Sequence, residues 1–129
     1  MGLTLPLQSA PEGPLAVAGT FASFALFLSI TAHIAARNVL GDVPVRNAFV
    51  VGPAPAAVSV LVATFAAGSS PLIVAGVVAA IVLDGAAIGA LYDESARLSA
   101  YITFIHVVVS IILGTIVFGV WALSISAPG

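Results

Sequence analysis

Residues 31–55, TAHIAARNVLGDVPVRNAFVVGPAP, hold one of the chain's two histidines, two of its three basic residues and three of its eight prolines. Long runs of Ala, Val, Ile and Leu flank the stretch on both sides. Its middle, RNVLGDVPVR, is the only part polar enough and rich enough in turn residues to stop a helix. A short polar turn between two long apolar runs reads as the bend of a transmembrane hairpin, and that reading decides the fold.

Composition supports it. Of 129 residues, 61% are hydrophobic and 6% charged, with a mean hydropathy of +1.26. Soluble domains carry about 25% charged residues. Eight charges cannot cover a water-facing surface of this size, so most of the surface must meet lipid. Cys is absent, which excludes disulfides, thiolate metal sites and Cys nucleophiles. Lys is absent too, and the net charge of −2 excludes a basic nucleic-acid footprint. The Ala/Val/Gly/Arg bias and low pI suit a GC-rich, halophilic source.

Outward from the hairpin, four apolar segments are long enough to cross about 30 Å of hydrocarbon. They run over residues 15–36, 47–67, 72–91 and 98–125, separated by RNVLGDVPVR, GSSP and YDESAR. Backbone in lipid must satisfy its own hydrogen bonds, so the segments are helices. Short connections make sequential helices antiparallel neighbours. The expected fold is therefore all-α: a single-domain, four-helix up-down transmembrane bundle. The segment before the first run, MGLTLPLQSAPEGP, has no basic n-region, so that run is read as a retained span rather than a signal peptide. Arg37, Arg46 and Arg97 all fall in the first and third breaks. The positive-inside rule then places those breaks in the cytoplasm and both termini outside. Trp121, Tyr92 and Tyr101 read as interfacial anchors.

Helices in lipid associate through small residues that let backbones approach. Each span has a candidate interior face at three- and four-residue steps. On the first it is Gly19, Ser23, His33 and Arg37. On the second it is Gly52, Ala56, Ser59, Ala63 and Ala67. The third offers Gly76, Ala80 and a GxxxG pair, Gly85 and Gly89, read first as intrachain packing and second as a homo-oligomer contact. The fourth offers Ser99, Thr103, His106, Ser110 and Gly114.

Three ionisable residues lie inside spans: His33, Asp84 and His106. Folding the chain at Ser95 puts Asp84 and His106, each eleven residues away, at one depth. That depth is about 13 Å from the Arg-bearing edge. Folding at GSSP sets Asp84 level with Pro55, and folding at Gly41–Asp42 sets His33 level with Val50, somewhat shallower. Pro53 and Pro55 lack N–H groups and free the carbonyls of Phe49 and Val51 near that depth. The candidate polar site is thus Asp84, His106 and His33 with the proline-freed carbonyls.

Its plainest reading is glue that holds the bundle together. Intramembrane ionisable residues are also functional candidates, and Asp84 tuned by His106 would suit a proton or a cation. A metal or a bis-histidine haem between His33 and His106 ranks lower. The pair has unequal depths, and no HxxxH or HExxH spacing is present, so no cofactor is expected. No GxSxG elbow or phosphate loop supports catalysis, and Ser110, one turn from His106, reads as a core hydrogen bond. The leading expectation is a non-enzymatic multi-pass protein of the cell membrane, an accessory or scaffold subunit. Its partners would be the bilayer and other membrane subunits or copies of itself. The alternative is a small proton- or cation-handling transporter or channel.

The run from Thr31 to Pro53, TAHIAARNVLGDVPVRNAFVVGP, resembles a stretch of small, uncharacterised four-helix membrane proteins of haloarchaea. The resemblance implies an archaeal cell-membrane location and carries no activity, so no functional residue is transferred through it.

Overall fold

A computed structural model describes residues 13–66 and 68–127. The expected N-terminal tail, Ala67 on the second span's small face and the last two residues lie outside the described residues. The chain forms α1 (Gly13–Leu40), α2 (Val45–Val51), α3 (Pro53–Phe65), α4 (Ser70–Leu91) and α5 (Ala96–Ser126). With α2 and α3 taken as one segment, Val45–Phe65, four helical segments are long and apolar enough to cross a membrane. Their ends fall within a few residues of the apolar runs. The largest difference is at α1, which continues past Ala36 to Leu40. Arg37 and Asn38 are good enough helix residues once clear of hydrocarbon. The helix stops where Gly41 takes a left-handed φ of +85°, its N–H donating to the Arg37 carbonyl at 2.9 Å.

The helices form a ring in which α1 packs on α3 and α5, and α4 packs on α3 and α5. Among the described residues the diagonal partners, α1 with α4 and the second segment with α5, do not approach. This is the up-down arrangement that short connections impose. At the Arg-bearing end, Asn47 of α2 donates its side-chain N–H to the Leu91 carbonyl, 3.2 Å away, and so satisfies a carbonyl in the last turn of α4. Asp93 closes α4 with a φ of +53°, and the Glu94 N–H reaches back to the Gly89 carbonyl at 3.1 Å. Ser95 then starts α5, its hydroxyl accepting from the Leu98 N–H at 3.2 Å.

The second segment is broken in hydrogen bonding rather than in direction. Gly52, between α2 and α3, keeps helical angles, φ −58° and ψ −42°. Its N–H still reaches Ala48 at 2.9 Å, and its carbonyl accepts from Ala56 at 3.3 Å. What Gly52 provides is proximity. A Cβ there would sit 2.5 Å from the Ser29 nitrogen and 2.8 Å from its Cα. Backbone meets backbone at this crossing of α1 with the second segment, the contact that small residues make possible in lipid. The Gly85 and Gly89 pair does similar work within the chain. A Cβ at Gly85 would meet the Thr103 hydroxyl at 3.1 Å, and one at Gly89 the Ser99 hydroxyl at 2.9 Å.

Packing is uneven along the bundle. Between the polar site and the Arg-bearing end, Ala32, Ala35, Ala36, Ala48, Val51, Ile88 and Ile102 form a core with no residue more than 2% exposed. Toward the other end α5 has no buried residue beyond His106, and Ile111, Ile112, Ile116 and Val117 are exposed.

The interior face of α1 differs from expectation. Ala25, Leu28, Ser29, Ala32, Ala35 and Ala36 are buried, whereas Gly19, Ser23 and Arg37 are exposed and His33 is only half-buried. Steps of three and four along the Ala/Ser stripe give the shortest side chains and hence the closest helix approach. Smallness, not polarity, selects the face. Ala63 on α3 is likewise exposed, while Gly52 and Ala56 are buried as the second segment's spacing implies.

Candidate intramembrane site

Asp84 on α4 and His106 on α5 are 3% and 2% exposed. Ser95 folds their helices together, and Nδ1 of His106 lies 2.5 Å from Oδ2 of Asp84. The ring's other nitrogen reaches α1: Nε2 is 2.9 Å from the Thr31 hydroxyl and 3.1 Å from the Leu28 carbonyl. Thr31 donates to the same Leu28 carbonyl at 3.1 Å, and Ser110 donates to Thr31 at 2.9 Å. Three helices are thereby tied at one point.

With the Thr31 hydroxyl donating to the Leu28 carbonyl, Nε2 carries a proton and donates, because a carbonyl only accepts. At 2.5 Å two lone pairs cannot face each other, so another proton lies between Nδ1 and Oδ2. In that arrangement the pair is neutral overall, whether the shared proton rests on nitrogen or on oxygen. Neutrality is what makes its burial affordable, because a lone ion in this setting costs several kcal/mol.

The other expected members do not join. His33 has a buried Nδ1 without a hydrogen-bond partner and makes no contact with the pair through hydrogen bonds. Among the described residues no side-chain donor reaches the carbonyls of Phe49 or Val51, so the groups freed by Pro53 and Pro55 are not recruited by Asp84 or His106. The ring topology is the reason: α5 lies diagonally across from the second segment, and His106 meets the α1 carbonyl of Leu28 instead. Pro55 itself is buried at the edge of the cavity described below. Thr31 is the member that sequence reasoning missed, although it opens the 31–55 stretch. Its signal was its place on the Ala/Ser side of α1, one turn before Ala35. Ser110 bonds Thr31 rather than His106.

Above the pair, away from the Arg-bearing end, the ring opens into a cavity of about 850 Å³ lined by all four segments. Asp84, His106 and Pro55 line it together with Phe27, Ala80 and Gly68. Asp84 leaves Oδ1 without a hydrogen-bond partner. Among the described residues no three metal-ligating side chains come together. Arg37, Arg46 and Arg97 are all exposed at the opposite end. Tyr101 and Trp121 are exposed, and Trp121 stacks obliquely on Phe118 with ring centres 5.9 Å apart. Tyr92 is half-buried just beyond α4, and burial pushes its phenol above the usual value of 10.0.

Fold and site together define a bundle of four helices, each long and apolar enough to cross a membrane, tied at one buried acid–histidine pair. More particularly, the chain belongs to a family of unknown function, DUF7473, which matches residues 11–128. No curated protein and no solved structure gives a significant match.

Proposed function

We propose that the protein is a non-enzymatic, non-conducting protein of the archaeal cell membrane that works by binding, as an accessory or scaffold subunit of a membrane assembly. The observation that carries this reading is the packed core beneath the pair. Residues such as Val51, Ile88 and Ile102, at most 1% exposed, fill the interior between the pair and the Arg-bearing end. In this reading the network of Asp84, His106, Thr31 and Ser110 is a latch. The three arginines put their end in the cytoplasm and both termini outside. Cysteines at Ser69 and Ser95 report that orientation, since the chain has no Cys of its own. An impermeant thiol reagent applied to whole cells is expected to label Ser69→Cys and leave Ser95→Cys unlabelled until the membrane is opened. Labelling of both from outside would overturn the topology.

One observation favours a second reading, a proton-handling transporter: the cavity reaches the pair from one side, as a single access state would. Proteoliposomes carrying a pH gradient separate the two. The expected result is proton flux no greater than that of protein-free liposomes. Flux that appears with the natural chain and vanishes in Asp84→Asn would reverse the order of the readings.

A further inference from the structure

We draw no further inference here: the strongest candidate, the furrow between α4 and α5 lined by Gly85, Gly89, Ser99 and Thr103, is a stripe of small residues, and nothing in the structure shows what covers it.

Discussion

Gly52→Ala should be among the most damaging single-methyl changes in the protein, costing about 3 kcal/mol or more. Helix propensity points the other way. Gly52 has helical φ and ψ, and alanine in a helix is favoured by about 1 kcal/mol over glycine. The added carbon would lie 2.2 Å from the Ser29 hydroxyl oxygen, 2.5 Å from its nitrogen and 2.8 Å from its Cα. A hydroxyl can rotate away, but backbone atoms cannot. Relief requires α1 to move off the second segment, which breaks the Ala/Ser packing from Ala25 to Ala36. Two further glycines grade the effect. At Gly76 the new carbon meets only a methyl of Val62, which can change rotamer, so Gly76→Ala should cost less. At Gly119 nothing lies within 4 Å, and Gly119→Ala should be neutral or stabilising. Unfolding free energies of the three variants in mixed micelles check the order. A Gly52→Ala protein as stable as Gly119→Ala would mean that the backbone contact is absent.

The same crossing shows where sequence reasoning was strong and where it failed. Four segments and their ends were legible because hydrocarbon thickness sets a length that apolar runs must meet, and because Gly41 and the YDESAR turn interrupt helices by backbone geometry. Gly52 and Ala56 were legible as a packing face because small residues at helical spacing have a single use in lipid. The depth of Asp84 and His106 followed from counting residues about Ser95, and the structure puts the two side chains in contact. The α1 face was misread because polarity was weighed above size: Gly19, Ser23, His33 and Arg37 share a face but bury little, while Ala25, Ser29, Ala32 and Ala36 bury almost completely. That error also hid Thr31. The expected role of the Phe49 and Val51 carbonyls failed for a different reason. Depth along the membrane is countable from sequence, but which helices are neighbours in the ring is not. His106 is at a usable depth and on the wrong side of the bundle for those carbonyls.

Removing one member of the buried pair should destabilise the fold far more than removing both. His106→Leu leaves Asp84 with neither oxygen partnered, and Asp84→Leu leaves Nδ1 of His106 facing a hydrocarbon side chain. Each single variant is expected to lose about 3 kcal/mol, the scale seen when a buried ion pair is broken from one side. The double variant, Asp84→Leu with His106→Leu, removes the need for compensation altogether. Its neighbours stay satisfied, because Thr31 donates to the Leu28 carbonyl and Ser110 to Thr31 without help from the histidine. Interhelical hydrogen bonds in membranes average only about 0.6 kcal/mol, so what the double variant forfeits is small beside the cost of an orphaned acid or imidazole. The double should therefore be more stable than either single, with a coupling energy of about 2 kcal/mol or more. Unfolding measurements on all four proteins close the cycle. If the two single losses simply add, the pair is not acting as a unit. If the double recovers stability, the latch is dispensable to the fold.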